Sequence, residues 1–365
     1  MYLSLAILFL GLLFGILLFL KHPILKDEGN YKTENKLSVI IPARNEESNL
    51  PYILADLKNQ NKPIYEIICV NDASDDNTAE IALLNGVTLI NVTDKPEGWV
   101  GKSWACQTGA NQATGETFLF LDADVRLGPD AVEKLQKAVL KHNCVISVQP
   151  FHKAVQFYEQ MSFFFNLILI AANGVGFPFS KKNIGLFGPI IMIDREKYKA
   201  VDGHLSARNS VVDDLTLGEK LISKGIAFKL FIGGEDVSFR MYSGGFRQMV
   251  QGWTKNFATG ASKTSIPLML MIVLWISSCI SAVIYLLGLM PNYSTRSLIF
   301  AVLIYIFVAA ELLSASRHIG NFKKWLIVLF PIQLIFFLAV FVSSVYKKTF
   351  RKKVKWKGRK IELER

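Results

Sequence analysis

Asp122 and Asp124 end an apolar run, LFLDADVRL at 119–127, and stand one residue apart. Two carboxylates that close repel each other unless a positive partner sits between them. On a turn leaving a strand, both can approach one hard divalent cation. Mg2+ typically takes one or two carboxylates and completes its shell with water and substrate phosphates. A metal held there against a diphosphate would take up the charge of a departing phosphate ester. The competing reading is a solvated acidic turn, and the surrounding chain has to decide between them.

A second acidic pair, Asp213 and Asp214, opens the stretch NSVVDDLTLGEKLISKG (209–225), whose Leu215, Leu217 and Leu221 predict a helix with an inner side. Carboxylates at that position can cap the helix and answer its dipole. One of them could also act as a general base. Two further polar clusters, Arg44–Glu46 and Asp72–Asp76, each follow a β-branched run.

The elements that would carry these groups alternate. KLSVIIPARNEE (36–47) reads as a strand ending at Pro42, and NLPYILADLKNQ (49–60) as a helix. YEIICVNDASDDNT (65–78) repeats the pattern of strand, acidic turn and helix start. VTLINV (87–92) is a third strand, GKSWACQTGANQATG (101–115) a loop and helix, and ETFLFLDADV (116–125) a fourth strand. Such alternation predicts an α/β fold with a mainly parallel sheet. Ligands of these sheets sit outside the carboxyl ends of the strands, so the three polar clusters should face one crevice. No GxGxxG follows the first strand, which disfavours a dinucleotide site. GWVGKS is no phosphate loop, because only two residues separate Gly98 from Gly101.

In this order, VIIPARNEE, VNDASDDNT, GKSWA and FLFLDAD resemble family 2 glycosyltransferases of the GT-A fold, which use nucleotide-diphosphate sugars. The resemblance covers the soluble part of the chain. It implies that Pro42, Ala43, Arg44, Glu46 and Asp72 hold the nucleotide, that Lys102 and Ala123 line the nucleotide-sugar pocket, that Asp122 contacts ribose or sugar there, and that Asp124 ligates Mg2+ or Mn2+; the spacing alone would let both Asp122 and Asp124 reach the metal. It places an acidic pair at Asp213–Asp214 with Asp214 as catalytic base, and an in-line displacement with inversion. Processive members carry Q-x-x-R-W before their membrane helices. This chain has Gln248-Met-Val-Gln251-Gly-Trp253, without the Arg and with the Trp displaced by one. That departure favours transfer of one hexose over polymerisation. Arg247, Gln251, Trp253, Lys255 and Asp213 are candidates for contacts to acceptor or diphosphate, and an amphipathic helix on a membrane surface is the other reading of 244–261.

The layout, with SVQP, GWTKNFATGA and the terminal WKGR, looks most like bacterial carotenoid-acid glycosyltransferases. That implies a UDP-sugar donor, UDP-glucose first, and a lipid acceptor that is a carotenoid carboxylic acid. Hopanoid, ceramide or diacylglycerol acceptors, a polysaccharide synthase, and a non-catalytic transport or scaffold protein stay open as alternatives.

The 365 residues are 51% hydrophobic and carry a net charge of +11. The apolar residues are unevenly spread. Residues 2–20 hold no charge and would make a helix about 28 Å long, enough to cross a bilayer core. A cleaved signal peptide would want a basic start and a small-residue cleavage site, which MYLS and KHPILK do not supply. Three more apolar segments fall at about 266–290, 297–313 and 325–346. The expected organisation is an anchor at 1–22, a GT-A domain at 36–255, a membrane cluster of two to three spans at 266–346 and a basic tail at 347–365. The apolar stretch 154–175 is expected at the bilayer interface. The tail's ten Lys/Arg against two Glu point to anionic lipid on the cytoplasmic face of the cell membrane, beside a cytoplasmic catalytic domain. Both being cytoplasmic needs an even number of spans, so the short 297–313 segment with Glu311 is expected to be re-entrant or interfacial. Nucleic acid is not an expected partner, because no basic stripe with interleaved aromatics occurs in the soluble part. Cys69, Cys106, Cys144 and Cys279 form no CxxC pair and are expected to be free buried thiols.

Overall fold

The computed structural model describes all residues except Met1, 180–182, 289–293, 352, 357–358 and 363–365; side chains of 2–4, 256, 258, 259 and those from 351 onward are also outside the description. The chain divides into two compact units. One comprises 24–152, 185–243 and 346–365, and the other 1–23, 153–184 and 244–345. The span expected as one continuous domain, 36–255, is therefore interrupted, because 153–184 and the residues after 243 pack with the apolar helices.

In chain order the elements begin with α1 (Tyr2–Leu18), β1 (Leu37–Ala43), α2 (Leu50–Lys58), β2 (Glu66–Asn71), α3 (Thr78–Leu84) and β3 (Thr88–Asn91). Next come α4 (Ser103–Gln112), β4 (Thr117–Leu121), β5 (Val125–Leu127), α5 (Ala131–His142), β6 (Val145–Gln149), β7 (Phe151–His152) and α6 (Phe163–Ala172). Then follow β8 (Ile190–Asp194), α7 (Arg195–Ala200), α8 (Asp213–Ser223), β9 (Phe228–Ile232) and β10 (Val237–Phe239). The chain continues with α9 (Phe246–Lys263), α10 (Ile266–Leu286), α11 (Thr295–Ser316), α12 (Lys324–Val328) and α13 (Phe330–Tyr346), and a tail hairpin of β11 (Lys353–Trp356) and β12 (Arg359–Glu362).

In the first unit, a seven-stranded sheet runs β3-β2-β1-β4-β8-β6-β9. β1, β2, β3 and β4 are parallel, as the alternation predicted, while β8 runs antiparallel between β4 and β6. β1 and β4 are apolar and buried almost throughout, as expected of strands covered on both faces. The expected fourth strand stops at Leu121. The chain turns through Asp122–Asp124 and re-enters β5, which joins β10 and β7 in a second sheet. The chain divides in the same way between β6 and β7, at Pro150, which has no N–H for a ladder. At the edge opposite the carboxyl ends, Glu66 Oε1 accepts from Ser38 Oγ (2.6 Å), Thr114 N (2.6 Å) and Gly115 N (3.1 Å), tying β2 to β1 and to the turn before β4.

In the second unit, α10, α11 and the helical segment Phe330–Phe350 are each long and apolar enough to cross a membrane. The segment expected to be short and re-entrant is the 22-residue α11, as long as its neighbour α10 at 21 residues, so length does not single it out. α1 lies against α10 through Gly11, where an added Cβ would meet Leu274 O and Ser278 Cβ, and Gly15 brings it against Trp275 and Glu311 of α11. This Gly-x-x-x-Gly spacing lets apolar helices approach closely. α6 does not lie at an interface as a surface helix would. Phe163, Phe164, Phe165 and Leu167 are fully buried, with Phe164 against Trp275 and Phe165 against Phe337. An all-round apolar helix is satisfied by this burial.

Candidate active site

β1 and β2 deliver their polar turns side by side. Asp72 N–H donates to Ala43 O (2.8 Å), which extends the pairing past the strand ends. Arg44 donates to the carbonyls of Asp72 (2.6 Å) and Ala73 (2.5 Å) and reaches the Asp75 carboxylate at 3.8 Å. Asn45 and Ala73 have positive φ, 52° and 50°, a conformation that costs non-glycine residues energy and marks functional turns. Glu46 N–H donates to Thr78 Oγ1 (2.8 Å), and its carboxylate accepts from Asn49 (2.8 Å). Pro42 and Ala43 are the last residues of β1. The Asp72 side chain is nearly buried, and Lys95 Nζ lies 3.1 Å from its Oδ2.

The second acidic turn is pinned from both sides. Asp122 N–H donates to Pro189 O (2.9 Å) and Val125 N–H to Asp122 O (3.2 Å). Ala123 is buried between the two half-buried carboxylates. Lys102, at the entry to α4, donates to Asp122 Oδ1 (2.5 Å) and Gly188 O (2.9 Å). A positive partner for Asp122 is thus supplied by the chain itself. Burial alone would lower the Lys102 pKa, but the carboxylates of Asp122 and Asp213 reverse this and raise it. Gly101 precedes it with φ +61°, the left-handed turn that only glycine adopts at no cost, and its carbonyl accepts from Lys95 Nζ (2.6 Å).

α8 brings up the third component. Asp213 and Asp214 occupy its first turn. Asp213 is 8% exposed, and its buried Oδ2 has no hydrogen-bond partner among the described residues. Asp214 Oδ1 accepts from Leu215 N–H (2.9 Å). Its carboxyl keeps some solvent contact, yet desolvation and the neighbouring Asp213 push its pKa up to about 6, against the pull of Lys102. α8 can come this close because Gly218 packs on Gly185; a Cβ on Gly218 would stand 2.5 Å from Gly185 Cα.

Asp72, Asp122, Asp124, Asp213 and Asp214 belong to one unit with Lys102, and the field of Lys102 links Asp122, Asp213 and Asp214. Among the described residues no group of three or more His, Cys, Asp or Glu could hold a metal unaided. Asp122 and Asp124 would offer a dication two hard oxygen donors, and such an ion would need substrate phosphate and water to complete its shell. Arg247, Gln251, Trp253 and Lys255 fall in the other unit, on α9. Arg247 and Gln251 are exposed. Trp253 is a correction: its indole is 3% exposed, stacks on Phe165 at 4.7 Å and donates to Ser162 Oγ (3.0 Å), so packing consumes it. Lys255 is likewise buried.

Sequence reasoning missed four neighbours. Lys95 is brought to Asp72 by the pairing of β3 with β2. Gly188 contacts both Lys102 and, by close approach, Asp214. Tyr242, at φ +61°, has its phenol pKa raised by burial and by the Asp124 carboxylate. His204 pairs with Tyr198 (Nδ1 to Oη, 2.9 Å), and burial together with the charge of Lys102 pushes its pKa down to about 3. The second glycine of GLFG and the Ser-Gly-Gly that follows Tyr242 were the available signals. A cleft of about 650 Å³ lined by Gln107, Asn111, Arg195 and Asp202 includes none of the acidic residues, so chemistry rather than concavity locates the site.

A mixed, mainly parallel sheet with acidic turns at its carboxyl edge is the architecture of the GT-A fold. The model of the family described as "Glycosyl transferase family 2" matches residues 38–199. The 4,4'-diaponeurosporenoate glycosyltransferases of Staphylococcus aureus strains N315 and USA300 are each 34% identical over 358 residues, covering 96% of this chain and 95% of theirs. The chain belongs to glycosyltransferase family 2 and is a glycosyltransferase. The fold is shared by the mannosyltransferase PcManGT of Pyrobaculum calidifontis, solved with GDP-Man and Mn2+, at TM-score 0.57 and 17% identity, covering 96% of this chain and 98% of that one.

Proposed function

We propose that the chain is a membrane-anchored, inverting transferase that moves one glucose from UDP-glucose to a carotenoid carboxylic acid such as 4,4'-diaponeurosporenoate. The substrate named for the relatives, similar over nearly their whole length, supports this choice of acceptor. The catalytic unit is cytoplasmic in this reading, and the apolar helices anchor it in the cell membrane. The observation that carries the reading is the convergence of Asp122, Lys102, Asp213 and Asp214 on one place, with the nucleotide turns of Arg44 and Asp72 at the same sheet edge.

The geometry supports the following roles. The turns Pro42–Glu46 and Asp72 receive the nucleoside, and Lys102 meets the diphosphate beside Ala123. Mg2+ or Mn2+, bound through Asp122 and Asp124, would neutralise charge on the leaving diphosphate. Asp214 accepts the acceptor's proton. A carboxylic acid drawn from an apolar environment keeps its proton to higher pH than in water. Asp214, with its pKa raised to about 6, is matched to take it. An acceptor that arrives ionised needs no base, and Asp214 then orients it. Asp213 and the exposed Arg247 and Gln251 remain proposed contacts to acceptor or diphosphate.

The test is mass spectrometry of lipid extracts from cells with and without the gene, supplied with labelled UDP-glucose. A carotenoid acid heavier by one hexose supports the reading. Labelled chains of many sugars would instead indicate a polysaccharide synthase, and no labelled product would remove the assignment.

A further inference from the structure

The Lys102–Asp122 pair raises a conflict with the proposed metal. Asp122 Oδ1, an oxygen the dication would use, already accepts from the Lys102 ammonium at 2.5 Å. A dication cannot share that oxygen with an ammonium at this distance without strong repulsion. Yet the place calls for more positive charge than Lys102 supplies. Asp122, Asp213 and Asp214 all lie in its field, and Asp213 Oδ2 is buried with no hydrogen-bond partner among the described residues.

Lys102 is open to exchange of its partner. It sits at the entry to α4, after the left-handed Gly101, while Asp122 is fixed by β4 and by its backbone bond to Pro189. Its second contact, the Gly188 carbonyl, is neutral. Both side chains of the pair keep about 30% of their surface exposed, so an entering anion can reach the ammonium. A diphosphate offers several charged oxygens in exchange for one carboxylate, and charge-assisted bonds of that kind are the strong ones.

We propose that Lys102 is an exchangeable placeholder for the metal: it occupies Asp122 in the donor-free protein and releases it only to a nucleoside diphosphate, so that metal capture depends on donor. This rests on the reading of Asp122 and Asp124 as metal ligands given under Proposed function. The consequence is an order of events. Free dication binds poorly, donor enters and takes Lys102, and Asp122 becomes available.

The measurement is Mn2+ binding to the full chain in detergent, followed by the electron paramagnetic resonance signal of free Mn2+, with and without UDP. For the wild type, UDP should raise Mn2+ affinity within about the 5–150-fold range usual for coupled sites. Lys102→Met should raise donor-free Mn2+ affinity by roughly tenfold or more and, because Lys102 has already left Asp122 when UDP is bound, shrink the UDP-dependent increment by about the same factor. Lys95→Met is the control. It removes the same charge from the same loop, but its partner is Asp72, so its effect should be several-fold smaller. Lys102→Gln guards against a folding defect, and all variants are compared by circular dichroism.

Donor-free affinity unchanged in both folded Lys102 variants, or raised no more than in Lys95→Met, overturns the placeholder while leaving the metal site standing. Absence of Mn2+ binding to the wild type even with UDP removes the metal reading itself, and the placeholder with it.

Discussion

Gly188 lies so close to Asp214 that a Cβ added to it would stand 3.0 Å from Oδ2, and its carbonyl accepts from Lys102 on the way to Asp122. One small residue thus spaces the proposed base from the proposed metal carboxylate. Gly188→Ala should leave the chain folded, because the neighbour that must yield is a side chain. It should displace Asp214 by a few tenths of an ångström and lower kcat by about tenfold to a hundredfold, as small misplacements of reacting groups do. UDP binding by calorimetry should change little. A Gly188→Ala enzyme with unchanged kcat would show that the contact does not position the base.

Asp214→Asn separates catalysis from stability. Turnover should fall by about 10²–10⁴-fold if the acceptor delivers a proton, and less if it arrives ionised. UDP affinity should persist. The pH profile of the wild type should rise through about 6, because the base must be ionised. The stability effect has the opposite sign. A folded pKa raised from 3.8 to about 6 means that the unfolded chain releases the proton first as pH climbs, so the site loses stability across that window. At pH 7 the whole loss is present, and Asp214→Asn should melt higher than the wild type, by an amount that shrinks below pH 4–6.

Glu66 works in the other direction. The hydrogen bonds from Ser38, Thr114 and Gly115 outweigh burial and lower its pKa. Its contribution is present above about pH 4.5 and fades as pH falls through the lower folded value. Glu66→Ala should destabilise the sheet by on the order of 2–3 kcal/mol near neutrality, since charged hydrogen bonds are lost and donors left unmet. Activity per folded molecule should stay near the wild-type value, because Glu66 stands at the strand edge away from the carboxylates. Thermal melts and active-site titration check the two halves.

The second unit offers a packing test. Gly11→Leu should force α1 off the Leu274 carbonyl of α10. The expected outcome is a lower melting temperature in detergent and faster proteolysis of the N-terminal segment, and an unchanged melt would contradict the close approach.

Much of this was legible because strand, acidic turn and helix repeat locally. Val39–Ala43, Ile67–Asn71 and Phe118–Leu121 are buried runs that each end at a charged turn, and period and polarity reveal both. The Asp213–Asp214 pair was legible as the start of a helix. What was not legible depends on distance in sequence. Lys95 reaches Asp72 across 23 positions because β3 pairs with β2, and Gly188 meets Lys102 across 86 positions. The apolar run 154–175 looked the same whether its partner was lipid or protein. Only Trp275, Phe337 and Trp253, more than seventy residues away, show that α6 is buried by other helices. The fourth strand breaks at Asp122 because β10, far along the chain, recruits β5 into another sheet.

The central claim is that a dication on Asp122 and Asp124 carries the leaving diphosphate while Asp214 serves the acceptor. Its most direct test is transfer of labelled glucose from UDP-glucose to the carotenoid acid by purified protein, first stripped with chelator and then resupplied with Mn2+ or Mg2+. The account predicts loss of transfer on stripping, recovery on resupply, and no recovery in Asp122→Asn or Asp124→Asn. Equal transfer by stripped wild-type protein and by both variants would contradict it.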